Sequence, residues 1–264
     1  MKIGFIGLGN MASAMIGGML KKKLVLSNEI YGADKSAAAT EKCREEYDIH
    51  ILPDNAAVAK EADFLFLAVK PIFLPDVIAE IKDVVDEDTV IISIVAGKTI
   101  SYIEEKFGKK IKLVRCMPNT PALVLEGCSA LVQGELVSDG EFEQVKKLFS
   151  AFGTVHEVPE RMMDAVVGVS GSSPAYVFMF IEAMADAAVC AGMPREQAYK
   201  MAAQAVLGSA KMVLETGKHP AELKDMVCSP GGTTIEAVKV LEELGMRAAV
   251  MDAMDACIEK SKNL

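Results

Sequence analysis

Two stretches of the chain carry residue types and spacings suited to holding a charged ligand. The first is Ser229-Pro230-Gly231-Gly232-Thr233-Thr234, followed by a helical pattern over 234–244. Glycines let backbone come close to a ligand, and a helix N-terminus offers unpaired N–H groups and the positive end of a dipole. Such a loop binds a small anion. A helix cap needs one hydroxyl, whereas Ser229, Thr233 and Thr234 crowd around two glycines, so the surplus favours a ligand. The second is Gly7-x-Gly9-x-x-Ala12, directly after the apolar run Ile3–Ile6. Gly7 can make a tight turn, Gly9 lets backbone approach a pyrophosphate, and Ala12 permits close helix–strand contact. The helix from about Asn10 then points its free N–H groups at phosphate.

Further candidates stand where other apolar runs end. Asp34-Lys35-Ser36 closes the second run. An acidic residue there suits the ribose hydroxyls of NAD and a basic one the 2′-phosphate of NADP, so Asp34 and Lys35 point in opposite directions. Ala68-Val69-Lys70-Pro71 closes the third run and Ala96-Gly97 follows the fourth. In open parallel sheets ligands lie beyond the carboxyl ends of the strands, which places Lys70 and the Ala96–Gly97 turn near a cofactor. Two prolines stiffen the loop Cys116-Met117-Pro118-Asn119-Thr120-Pro121.

Positioning these groups requires a parallel sheet. Runs at 3–6, 30–33, 64–69, 90–95 and 112–116 alternate with amphipathic stretches such as 55–61 and 100–107. That alternation predicts strands with helices on both faces. Runs at 129–133 and 154–158 could extend the sheet. After Arg161 the β-branched clusters fade and alanine- and methionine-rich helical patterns take over. The expected division is a nucleotide-binding domain over 1–160 and a helical domain over 161–264.

Composition excludes several function classes. The 264 residues carry a formal net charge of −9, which argues against broad nucleic-acid or membrane-surface binding. Six scattered cysteines with no CxxC pair, and three scattered histidines, complete no metal site and fit free thiols in a reducing cytoplasm. The glycine-broken N-terminus has no secretory pattern. The apolar stretch 174–191 carries Glu182 and Asp186 one turn apart, which predicts a buried helix rather than a membrane span. Helices so apolar all round, there and over 197–214, are also what packing against a second chain requires.

MPNTPA at 117–122, VGVSGSSPAYVF at 167–178 and LKDMVCSPGGTTIEAV at 223–238 resemble pyrroline-5-carboxylate reductase, and the resemblance runs the length of the chain. It implies a Rossmann-type, doubly wound, mostly parallel α/β sheet followed by an all-helical dimerisation domain. The implied reaction is reduction of the C=N bond of a carboxylated five-membered cyclic imine to L-proline by NADPH or NADH, NADPH slightly favoured. A protonated imine is already a strong electrophile, so neither a metal nor a covalent nucleophile is needed. The implied cofactor contacts are Gly7, Leu8, Gly9, Asn10, Met11, Asp34, Lys35, Ser36, Asn55, Ala68, Val69, Lys70, Pro71, Ala96, Gly97 and Asn119. The implied substrate contacts are Ser229, Gly231, Gly232, Thr233 and Thr234. Backbone N–H groups of Gly231, Gly232 and Thr233, with the Ser229 hydroxyl, would cradle the carboxylate, and Thr234 would bond the ring nitrogen. Ser229 and Thr234 are the catalytic candidates. The helical domain would bring this loop over the nicotinamide, and the assembly would be a cytoplasmic interlocked homodimer or a decamer built from it, with no nucleic-acid or membrane partner. A β-hydroxyacid dehydrogenase, the nearest rival, needs a lysine on the first long helix of its second domain, and 170–191 contains none. A non-enzymatic nucleotide sensor would have no use for the anion cradle.

Overall fold

Short apolar runs and the amphipathic segments between them build one eight-stranded sheet in the computed structural model, which describes residues 1–263. The strands are β1 (Ile3–Ile6), β2 (Ile30–Ala33), β3 (His50–Ile51), β4 (Phe64–Leu67), β5 (Val90–Ser93), β6 (Leu113–Met117), β7 (Gly127–Gln133) and β8 (Gly153–Glu157). Between them run α1 (Asn10–Lys21), α2 (Ala37–Tyr47), α3 (Asn55–Glu61), α4 (Leu74–Ile81), α5 (Ile100–Phe107) and α6 (Asp139–Phe149). The strand order is β3-β2-β1-β4-β5-β6-β7-β8. The first six are mutually parallel; β7 runs antiparallel to β6, and β8 parallel to β7. The order reverses at β1, between β2 and β4, which makes the ends of those strands the switch point of a doubly wound fold.

Alternation along each strand divides the core between the two faces. Phe5, Phe66, Ile92 and Val114 join α1 and α6 on one side, while Ile6, Leu65, Leu67 and Ile91 join α3, α4 and α5 on the other. Phe5 stacks on Phe66 with ring centroids 4.5 Å apart, and Phe149 and Phe152 continue the aromatic column. The central strands are buried on both faces, as expected for a sheet covered by helices on each side, with Arg115 of β6 the one charged residue buried in them among the described residues.

After β8 the chain is helical: α7 (Met163–Val166), a π-helical turn over Val167–Gly171, then α8 (Ser173–Cys190), α9 (Arg195–Thr216), α10 (Pro220–Val227), α11 (Thr233–Glu243) and α12 (Met246–Lys262). The backbone forms two compact units, Met1–Ser172 together with the segment from Cys257 onward, and Ser173–Ala256. In the first, Ser261 donates to Asp164 Oδ1 at 2.7 Å. In the second, α8 and α9 pack together.

The expectation of a buried helix over 174–191 needs correction, because within this chain only Ala185 of α8 is buried. Phe178 and Met179 on α8 and Leu207 and Leu214 on α9 are exposed. A helix apolar on every side cannot cover itself with one neighbour. By length and composition the helical run Glu160–Cys190 is also apolar enough to cross a membrane, with a mean hydropathy of 1.3.

Candidate active site

The turn after β1 requires glycine at one position for the fold and at another for something else. Gly7 has φ +93°, and a Cβ there would lie 2.6 Å from the Ala68 carbonyl oxygen. Its N–H donates to the Ala33 carbonyl at 2.9 Å, while the Ala68 N–H donates to the Ile6 carbonyl at 2.8 Å, so the turn is stitched to both neighbouring strands. Gly9 has an ordinary φ of −72°, and a Cβ built on it would meet nothing within 4 Å. Neither backbone nor packing demands glycine there. A pyrophosphate lying against the backbone would, and no side chain caps the N-terminus of α1. Asn10 is exposed, Ala12 is buried against the sheet, and Met11 packs at the edge of the core. The buried Leu8 side chain faces Gly32, and its N–H is taken by Asp34.

Gly7 and Gly9 line a cleft of about 430 Å³ together with Asp34, Lys35, Ser36, Asn55, Ala68, Val69 and Lys70. Nine of the residues expected from sequence thus meet at the switch point, with Phe73 and Val77 completing the wall. The Asp34 carboxylate is committed to backbone: Oδ2 accepts the Leu8 N–H at 2.7 Å and Oδ1 the Ser36 N–H at 2.8 Å. Ser36 caps α2, accepting the Ala39 N–H at 3.3 Å, and Asp54 caps α3 through the Ala57 N–H at 2.7 Å, which sets Asn55 at the helix start. Asn55 Nδ2 donates to Glu80 Oε2 at 2.6 Å, and Lys35 Nζ lies 3.8 Å from Glu80 Oε1. Glu80 was no candidate from sequence: an exposed glutamate on an amphipathic helix carries no local signal.

Other candidates lie elsewhere on the same unit. Pro71 opens a short 3₁₀ turn. Ala96 and Gly97, the latter with φ +72°, follow β5 and border a small crevice beside Arg115, Met117 and Val167. The buried Arg115 donates to Glu160 Oε1 at 3.0 Å, and the same oxygen accepts the Ile100 N–H at 2.8 Å. One carboxylate therefore fastens the start of α5, next to the Ala96–Gly97 turn, to β6. The buried amide of Asn119 accepts the Cys128 N–H at 2.8 Å and donates to the Ser170 carbonyl at 2.9 Å, tying its loop to the π-helical turn. Burial raises the pKa of the neighbouring Cys116 thiol, which makes it packing rather than a nucleophile.

In the second unit, α11 begins at Thr233, one residue before the expected start. Gly232 is its N-cap, and no side chain caps it. Gly231 takes φ +67°, and a Cβ at Gly232 would overlap the Ser229 hydroxyl. One expected donor is corrected: the Gly232 N–H closes the turn onto the Ser229 carbonyl at 3.0 Å. The first-turn amides of Thr233 and Thr234 have no acceptor within the helix. Ser229 and Gly231 are exposed and Thr234 half-buried. The segment offers free amides and a hydroxyl at a helix N-terminus, with no charged side chain among Ser229–Thr234, an arrangement that suits an anion.

Residues 160–264 match the family model described as pyrroline-5-carboxylate reductase dimerisation, and residues 2–97 match that of an NADP oxidoreductase, coenzyme F420-dependent. The chain is 52% identical to the pyrroline-5-carboxylate reductase of Escherichia coli over 263 residues, covering 100% of this chain and 98% of that one. It is 45% identical to the Methanosarcina acetivorans enzyme of the same name, covering 100% and 97%. The crystal structure of Plasmodium falciparum pyrroline carboxylate reductase with NADP bound superposes with a TM-score of 0.92 at 33% identity, covering 99% and 97%.

Proposed function

The chain belongs to the pyrroline-5-carboxylate reductase family, and from that membership we propose how its residues divide the work. Its activity is the NAD(P)-dependent reduction of the C=N bond of 1-pyrroline-5-carboxylate to L-proline, the last step of proline biosynthesis. The bound cofactor supplies the hydride. Residues 1–160 serve the cofactor, and 161–264 serve the substrate and the partner chain.

The amides of Gly9, Asn10 and Met11 hold the pyrophosphate at the N-terminus of α1, while Gly7 and Leu8, whose N–H groups are taken by Ala33 and Asp34, shape the turn around it. The open space at Gly9 is the observation that carries this assignment. NADPH is the preferred cofactor. Asp34 spends both oxygens on backbone N–H groups, while Lys35 and the N-terminus of α2 at Ser36 present positive potential to a 2′-phosphate. Asn55, Ala68, Val69, Lys70 and Pro71 cover the nucleotide, and Ala96, Gly97 and Asn119 complete the cofactor contacts.

On α11, the Ser229 hydroxyl and the amides of Gly231 and Thr233 hold the substrate carboxylate, and the Thr234 hydroxyl bonds the ring nitrogen. The uncapped start of the helix supports this, since those amides are not taken by a side chain. Holding the carboxylate fixes the ring, and a hydrogen bond at nitrogen keeps the proton that makes the imine electrophilic. No residue needs to form a covalent bond.

The chain carries a dimerisation domain, and the exposed apolar faces of α8 and α9 are the surfaces that interlock with a second copy. Dimers assemble further into a decamer, and the enzyme works in the cytoplasm, where six free thiols stay reduced. The test is initial rates with pyrroline-5-carboxylate and NADH or NADPH in parallel. A higher kcat/KM with NADPH supports the assignment of Lys35 and Ser36; a preference for NADH overturns it.

A further inference from the structure

We propose that Glu80 tempers cofactor specificity: its carboxylate pairs with Lys35 and opposes the 2′-phosphate, narrowing the preference for NADPH over NADH without reversing it. The inference rests on the reading of the switch-point cleft as the cofactor site. The placement follows from α4. Leu74, Val77, Ile78 and Ile81 bury the helix against the sheet, and Val77 also forms cleft wall. Glu80 stands one turn on from Val77, which sets it at the rim. There it meets residues from two different turns, Lys35 after β2 at 3.8 Å and Asn55 at the start of α3 at 2.6 Å.

The charges facing this rim are Asp34, Lys35, Lys70 and Glu80. Asp34 is fixed by two backbone N–H groups, so Lys35 is the cation nearest the position where a 2′-phosphate is read. The phosphate must take Lys35 away from Glu80 and then sit close to the released carboxylate. A 2′-hydroxyl asks for neither, so the cost falls on NADPH alone. Glu80→Gln removes the charge while its amide oxygen still accepts from Asn55 Nδ2. Glu80→Ala removes both.

Dissociation constants of NADPH and NADH for the full-length enzyme, by fluorescence titration at low and high salt, test this. Glu80→Gln should tighten NADPH about two- to five-fold, the size of an exposed charge pair, and leave NADH where it was. The gain should shrink as salt rises. Glu80→Ala should keep the NADPH-over-NADH gain but weaken both cofactors relative to Glu80→Gln, because Asn55 loses its anchor. In kinetics the change should fall on the KM for NADPH, whereas a structural lesion lowers kcat with both cofactors. Equal shifts for the two cofactors, or unchanged NADPH binding, would overturn the proposal. Gly9→Val separates the two readings. If it abolishes binding of both cofactors while Glu80→Gln changes nothing, only the role of Glu80 fails. If it binds both normally, the cleft is not the cofactor site and the role of Glu80 falls with it.

Discussion

Asp34 Oδ2 accepts the amide of Leu8 at 2.7 Å, joining the turn after β2 to the glycine turn after β1. The acidic residue that would be expected to read the ribose is here a brace between two turns. Asp34→Asn keeps one carbonyl oxygen but replaces the other acceptor with a donor, facing either Leu8 or Ser36. Hydrogen bonds to charged groups contribute about 1.5–3 kcal/mol, so we expect about 1–2 kcal/mol of lost stability at this half-exposed site. Affinity for NADH and NADPH should fall together. Urea unfolding and cofactor titration check it; a selective loss of NADH at unchanged stability would show that Asp34 serves the ribose instead.

The two glycines of the first turn should fail in different ways. Gly7→Ala places a Cβ 2.6 Å from a carbonyl oxygen at a positive φ, and should cost stability by about 1–3 kcal/mol. A Cβ at Gly9 would meet no protein atom within 4 Å, so the melting temperature of Gly9→Val should stay near that of the unaltered chain. Its cofactor affinity should fall sharply, because the branched side chain enters the space the pyrophosphate needs. Thermal unfolding with NAD(P)H titration on both variants separates the outcomes. Unchanged cofactor binding by Gly9→Val rejects the assignment.

Arg115 and Glu160 bear on the Ala96–Gly97 turn through Ile100. Removing one member of a buried pair costs about 3–5 kcal/mol, but the Glu160 side chain is 34% exposed and can rehydrate. Arg115→Met should therefore cost about 2–3 kcal/mol in denaturant unfolding. Glu160→Gln, whose amide oxygen still accepts from Ile100 and Arg115, should cost about 1 kcal/mol. Equal and small losses would mean the pair holds nothing in place.

Much of the first unit was legible because its signals are local. Ile3–Ile6 before Gly7-x-Gly9 announces the first strand and turn, and α3 and α5 fall where amphipathic spacing predicts. The two residues of β3 are too few for a periodic signal, and the apolar run of β7 reads alike in either direction, so its antiparallel pairing with β6 is set only by partners. The same holds for the site. Glycines, hydroxyls and strand-end residues were visible, whereas Glu80 and the Arg115–Glu160 pair depend on neighbours 25 and 45 residues away. Pro174–Ala191 shows the limit from another side: its burial depends on a surface that one chain does not supply.

That surface gives a prediction about assembly. The exposed Phe178, Met179, Leu207 and Leu214 should be covered by a second copy, so the chain should sediment at micromolar concentration as a dimer or larger. Phe178→Glu would bury a charge in that interface and should shift the boundary toward the 28.3 kDa monomer. A fully active monomer of the unaltered chain in analytical ultracentrifugation would reject the interface.

The last prediction concerns the two hydroxyls of the α11 loop. Thr234 is half-buried in the first turn of the helix, while Ser229 is exposed at the start of the loop. The Thr234 hydroxyl, accepting the ring N–H, keeps the bound imine in the protonated form that takes hydride, so losing it lowers the reactive fraction of bound substrate. A bond to a charged group is worth roughly 1.5–3 kcal/mol, so Thr234→Ala should lower kcat about ten- to a hundred-fold. Ser229 contacts a carboxylate whose charge does not change during the reaction, so Ser229→Ala should raise the KM for pyrroline-5-carboxylate and spare kcat. Thr234→Ser, which keeps the hydroxyl, should recover most of the lost turnover. Cofactor affinity should be untouched in all three variants, since the pyrophosphate turn belongs to the other unit. A misfolded loop would instead damage both parameters in every variant. Wild-type kcat and KM in both alanine variants would reduce the loop to a helix start and remove Thr234 from the chemistry.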